Sequence, residues 1–328
     1  MHEKAHDQLI TGNGHEYFSR LMTSLAEEKP SKAYKPFHDD NTPVRYSRSR
    51  VVDVKHIKLE LGFEFEKKRL NGTAHVTVSA IADDVDSLTL DAVEMKIASV
   101  SAGKHACRFN YDGEQLRVDF SQPLPAGKDV VLSIEYSVTN PKAGIYFVMP
   151  DANYPDKPFE VWTQGQDEDA RFWFPCFDYP NEKLTSEVVV TVPKHLNTLS
   201  NGKLLSVKDK GQDKVFHWRH DVPHVAYLVT LVVGDYKEVK DSWNGIPVTY
   251  FHHPGDEKKA RNSFADTPKM VKFFSEKIGV KYPYAKYSQI PATDFIFGGM
   301  ENTTATTQTA LTLHDDRAHL DFSSNPLV

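Results

Sequence analysis

Residues 56–66 read HIKLELGFEFE, and this run decides the class of the fold. Ile57, Leu59, Leu61, Phe63 and Phe65 alternate with Lys58, Glu60, Gly62, Glu64 and Glu66. A period of two puts the apolar side chains on one face of a pleated strand and the charges on the other. Asn71-Gly72 then predicts a tight hairpin turn, after which Ala74, Val76, Val78 and Ala80 resume the alternation. Further strands are predicted at 87–90, 115–120, 130–138, 145–149, 187–192 and 215–219. The run AYLVTLVV, residues 226–233, is almost wholly apolar and reads as a strand covered on both faces. Short strands at turn-bounded intervals, with little helical pattern between them, specify an antiparallel β domain, here residues 49–237.

The flanks read differently. Residues 1–48 are polar and punctuated by Pro30, Pro36 and Pro43, an extended lead-in with one short helix predicted over 16–28. Beyond Trp243-Asn244-Gly245, a strand at 246–252 precedes a helical pattern. Ala260, Phe264, Thr267, Val271, Phe274 and Ile278 recur at spacings of three and four, one apolar face of a helix. Pro268 must kink or restart that helix, and Gly279 is placed to end it. Residues 287–297 return to extended structure. Strand, helix and strand after an all-β block read as the opening of a second, α+β domain over 238–328, which looks incomplete.

Composition excludes several functions. A net charge of −6, with acids and bases interspersed, leaves no nucleic-acid footprint. No apolar run approaches the ~20 residues of a membrane span. The polar start lacks the order of a secretory signal. Two cysteines, Cys107 and Cys176, fit a reducing compartment, so a cytoplasmic location is expected.

Candidate chemistry begins with His2, Glu3 and His6, a literal H-E-x-x-H with zinc-protease spacing. It lies at a polar chain end with no scaffold to place a third ligand, and it reads as a chance match. His220 and His224 share the spacing, but Pro223 argues against a helix, so they read as structural. Two stretches carry more weight. WTQGQDEDAR, residues 162–171, runs on to FPCFD at 174–178, and GGMEN occupies 298–302. Gly298 and Gly299 let a ligand approach the backbone, and Glu301 offers a carboxylate beside it, a counter-charge for an ammonium group. Arg171 and Asp178 read as a structural pair, Cys176 as a buried thiol, and Asp315, Asp316 and Arg317 as a solvated turn.

Taken in this order, the two stretches resemble the zinc aminopeptidases of the aminopeptidase N and leukotriene hydrolase family. The resemblance covers roughly residues 50–328. It implies a mainly β fold: a saddle-like antiparallel β-sandwich followed by the start of a thermolysin-like catalytic domain. It also implies that Glu301 and Gln166, with Gln164 close by, hold the free amine of a peptide, while Gly298, Gly299 and Met300 line its backbone. The implied substrates are peptides with a free N-terminus. The implied cofactor is a zinc ion, whose H-E-x-x-H motif falls in the family just after the segment that Ser324 to Val328 resembles. Catalytic residues and metal ligands are therefore expected downstream of Val328. The expectation is an N-terminal portion with amine-recognition residues but no catalytic residue and no metal ligand of its own, inactive alone. The rival expectation is a non-catalytic β-sandwich that binds peptide ends. The leukotriene branch further implies, as an alternative, an epoxide hydrolase side activity in a full-length parent.

Overall fold

In the computed structural model, residues 46–103 and 105–321 are described, and those from Arg48 onward belong to one compact unit. Strand β1, Val52–Glu64, buries Val52, Val54, Ile57, Leu59 and Leu61 on one face, each at most 4% exposed. A bulge between Val54 and His56 shifts the alternation from even to odd positions and keeps all five on the core side. Strand β2, Arg69–Ala80, returns antiparallel to it.

The hairpin turn is not at Asn71-Gly72. It is a single 3₁₀ turn at Phe65–Lys67, closed by Lys68 in the left-handed conformation (φ 46°), with Lys68 N donating to Phe65 O. Gly72 lies inside β2 opposite Tyr136, where a Cβ would come within 2.8 Å of the tyrosine ring. The glycine is there for close packing, which a dipeptide turn signal cannot distinguish.

Beyond β2 come β3 (Ser87–Asp91), β4 (Lys96–Ala102), β5 (His105–Ala106), β6 (Arg108–Tyr111), β7 (Gln115–Asp119) and β8 (Asp129–Thr139). They are followed by β9 (Gly144–Val148), β10 (Glu160–Gln164), β11 (Leu184–Pro193), β12 (Asn197–Ser200), β13 (Lys203–Lys210), β14 (Asp213–His224) and β15 (Leu231–Gly234). An eight-stranded sheet runs β13-β14-β11-β1-β2-β8-β4-β5, a four-stranded sheet β12-β15-β10-β9, and a three-stranded sheet β3-β7-β6. The fold is mainly β, as expected. Pairing in these sheets is antiparallel except where β1 meets β11, a parallel junction the alternation pattern could not show.

The apolar run at 226–233 breaks in two. Ala226–Leu228 form a 3₁₀ turn and only Leu231–Gly234 pair as β15. The break is held by the buried side chain of Asn201, whose Nδ2 donates to Leu228 O (2.9 Å) and whose Oδ1 accepts from Thr230 N (2.8 Å). The backbone groups that leave the ladder are thus satisfied.

The remaining strands are β16 (Lys237–Trp243), β17 (Ile246–His252), β18 (Tyr287–Ala292), β19 (Gly299–Met300) and β20 (Ala305–Thr309), in a sheet of order β16-β17-β18-β20-β19. The predicted helix is two helices, α1 (Glu257–Phe264) and α2 (Thr267–Ile278), with Pro268 in the first turn of α2 and Gly279 left-handed at its end. Its apolar face is only half covered: Ala260, Phe264 and Thr267 are buried, whereas Phe274 and Ile278 are 58% and 69% exposed. Asp316 opens a third helix, α3 (Asp316–Asp321), rather than a turn. The extended segment predicted over 287–297 ends at Ala292, where the chain turns and Asp294 takes a φ of 61°. The helix predicted over 16–28 lies outside the described residues, as does the segment Ser324 to Val328.

Candidate functional site

Strand β10 is buried along its whole length, and its side chains reach out to the segment that follows β18. Glu160, 1% exposed, accepts from Thr293 N (2.6 Å) and from the hydroxyl of Tyr236, whose oxygen also lies 2.9 Å from Pro291 O. His253 Nε2 lies 3.2 Å from the same carboxylate. Trp162 Nε1 donates to Thr293 O (3.0 Å), and its ring meets Phe295 edge-on and stacks on Tyr146 at 4.2 Å. Gln164, at the end of the strand and 3% exposed, donates from Nε2 to Met300 Sδ at 3.2 Å. The two stretches picked out from the sequence therefore meet.

The short hairpin of β19 and β20 fixes the glycine pair. Gly299 pairs with Gln308, and a Cβ at Gly299 would stand 2.7 Å from Gln308 Oε1. Gln308 Nε2 donates to Gln289 Oε1 (3.0 Å), and Gln289 Nε2 donates to Thr267 Oγ1 (2.6 Å), so buried amides support the hairpin from beneath. Gln164 Oε1, Asn302 Oδ1 and Gln308 Oε1 are buried acceptors without a hydrogen-bond partner. Unpaired buried acceptors are costly in a structural role.

Gln164 and Gln166 line a cleft of about 330 Å³ with Tyr146, Trp162, Asp169 and Phe297. Burial pushes the carboxyl of Asp169 above its ordinary pKa. Gln166 and Glu301 are both exposed, as are Gly298 and Gly299, whereas Met300 is buried. Glu301 is not among the residues lining this cleft. Its side chain has no hydrogen-bond or ion-pair partner among the described residues.

Arg171 and Asp178 form the expected pair (Nε to Oδ2, 3.3 Å), with Asp91 and Arg48 beside them. Burial raises Asp178 to about 6 despite Arg171, and raises the thiol of Cys176 well above its usual value. Cys107 and Cys176 are free thiols. His220 and His224 lie on β14 with rings 5.0 Å apart, both buried. Sequence reasoning passed over Glu160 and Lys286, although a lone lysine in the aromatic segment YPYAKY, residues 282–287, was a readable signal.

Zinc, which the sequence resemblance implies, does not fit the residues in view. Among the described residues no three His, Cys, Asp or Glu side chains are grouped to hold a metal ion. His2, Glu3 and His6 lie outside the described residues, and so does Val328. No helix among the described residues is long and apolar enough to cross a membrane.

Comparison with known proteins follows the same two regions. The Peptidase M1 N-terminal domain matches residues 43–228 and the Peptidase family M1 domain matches residues 263–325. Leukotriene A-4 hydrolase of Xenopus laevis is 28% identical over 289 residues, covering 84% of this chain and 46% of that protein. Aminopeptidase M1 of Arabidopsis thaliana is 30% identical over 271 residues, covering 78% of this chain and 30% of that protein. The chain thus spans less than half the length of these relatives. A crystal structure of a mutant M1 zinc metallopeptidase from Deinococcus radiodurans, bound to a Tyr-Ser-Ala substrate, superposes with a TM-score of 0.69 at 21% identity. The match covers 83% of this chain and 63% of that one, and shows a shared fold.

Proposed function

The chain belongs to peptidase family M1, and from that premise we propose that it carries the amine-recognition part of an aminopeptidase, which removes residues from the free N-terminus of peptides. The observation that carries this reading is the contact of Gln164 with Met300, which brings the β10 glutamines beside the glycine-rich hairpin. In this reading Glu301 and Gln166 hold the substrate ammonium group. Gln164 fixes the wall between them, and Gly298, Gly299 and Met300 run along the peptide backbone. A carboxylate with an amide oxygen complements a cation and rejects an uncharged internal amide. The division at about residue 237 would place the pocket between a β domain and the start of a catalytic domain.

In this family reading zinc, when bound, would supply a Lewis acid and an activated water. The described residues bring no ligand set for it, and we place the catalytic groups outside them. The two free thiols support a cytoplasmic site.

The test is binding of leucinamide to the purified chain, set against its N-acetylated form. Binding that needs the free amine and is weakened by Glu301→Gln supports the reading. Equal binding of both forms, or none, removes it.

A further inference from the structure

Lys286 is 9% exposed, yet no carboxylate pairs with its ammonium group among the described residues. Its Nζ donates to Ser200 O (3.0 Å) at the end of β12 and to Thr304 O (2.8 Å), with Thr304 Oγ1 at 3.4 Å. Those acceptors take all three N–H donors of a protonated lysine. The indole of Trp218, on β14, offers its face at 5.4 Å. Thr304 itself is a non-glycine residue at φ 69°. It is held again by Gly202 N donating to its Oγ1 (2.7 Å) and Ser288 N donating to its carbonyl (3.0 Å), while Asn201 Nδ2 donates to Thr303 O (2.8 Å).

These bonds converge two residues after Glu301–Asn302, whose turn closes with Ala305 N donating to Asn302 O (2.9 Å). We propose that Lys286 is a positioning residue: its ammonium group straps the segment 301–304 to the end of β12 and so sets the direction of Glu301. Orienting Glu301 toward an amine rests on the function proposed above. The strap itself does not.

Burial alone holds Lys286 down at about 7, so the strap titrates near neutrality. The titratable group facing it from β14 is His220, which burial, and then the charge of Lys286, hold down at about 4. His220 is therefore uncharged while Lys286 titrates. Asp221 lies beyond it and acts on His220. On its own segment, the Tyr282 hydroxyl donates to Lys286 O (3.0 Å), and burial pushes that phenol far above its ordinary range, so it keeps its proton. Neutral lysine keeps only two N–H donors and cannot serve all three acceptors.

Amide hydrogen exchange at Gly202, Ser288 and Ala305, corrected for intrinsic base catalysis, tests this in the full chain. Wild-type protection should fall roughly tenfold as the pH passes through about 7, the scale of one lost hydrogen bond. In Lys286→Met protection should be low at every pH, and in Lys286→Arg it should not change with pH. Wild-type protection that is flat with pH, or a methionine variant that keeps the wild-type profile, overturns the proposal. Should the methionine variant not fold, ¹⁵N observation of Lys286 Nζ in the wild type decides. A midpoint near 7 shared with the Gly202 and Ala305 amides supports the strap, and an ordinary lysine midpoint sinks it. Leucinamide affinity is followed in parallel, with Lys286→Arg reporting the titration of the ligand's own amine. Failure of leucinamide to bind at any pH removes the amine-site reading and leaves the exchange result to judge Lys286.

Discussion

Gln164 Nε2 stands 3.2 Å from Met300 Sδ, a contact between residues 136 apart in sequence. A thioether is a weak acceptor, so the bond itself adds little. Its significance is geometric, since it shows β10 lying against the hairpin that carries Glu301. Gln164→Ala should therefore cost only about 1 kcal/mol in denaturant unfolding, partly offset by removing an unpaired buried oxygen. Leucinamide affinity should fall further than stability does. Equal losses in both would mean that Gln164 is packing alone.

Gly299→Ala should disturb the hairpin more than its small size suggests. The new methyl would meet Gln308 Oε1 at 2.7 Å, and Gln308 is tied through Gln289 to Thr267. We expect a loss of about 1–3 kcal/mol, the range for overpacking a built site, read from urea midpoints. Gly298→Ala, at the exposed position just before it, is the control and should change the midpoint less.

The fold was legible where side-chain chemistry repeats. Alternation in β1 and β2, the restart at Pro268 and the stop at Gly279 all follow from local rules, and each is present. It was illegible where a distant partner decides. Asn71-Gly72 reads as a turn because nothing in the dipeptide reports Tyr136, and 226–233 reads as one strand because Asn201 lies far upstream. Of the candidate site, the two motifs that meet at Gln164 and Met300 were legible. Glu160 and Lys286 were not singled out, because their roles come from Thr293, Tyr236, Ser200 and Thr304, which only the tertiary fold assembles.

Acid should destabilise the protein through its buried histidines. His224 Nε2 faces Ser186 Oγ (2.9 Å) and its Nδ1 faces Val225 O (3.1 Å), an arrangement made for the neutral ring. Burial pushes His224 to about 3 and His220 to about 4. Between those values and the ordinary ~6.5, the unfolded chain binds more protons than the folded one. Stability contributed by the neutral rings is thus full above about pH 6.5 and is lost as pH falls toward 3–4. Asp178, raised to about 6, acts with the opposite sign: its carboxyl gives up stability as pH rises from about 4 to 6. His224→Gln should flatten the acid limb of a plot of thermal midpoint against pH, and an unchanged limb would refute the assignment.

Lys286 predicts a rise on the alkaline side. Its folded pKa of about 7 lies below the unfolded 10.5, so the unfolded chain holds the extra proton between those values. Stability should climb with pH through that window, at a slope approaching ~1.4 kcal/mol per pH unit from this one group. Lys286→Met should remove the climb. Global stability and local strapping then move in opposite directions with pH, a signature that simple core packing does not produce.

Recognition of a free peptide amine by this chain is decided by titration calorimetry of leucinamide against N-acetyl-leucinamide. We expect saturable binding of leucinamide, no binding of the acetylated form, and at least a tenfold loss of affinity in Glu301→Gln, the ~1.4 kcal/mol or more of a charge-assisted contact. Indistinguishable affinities for the two ligands, or an undiminished Glu301→Gln variant, would contradict it.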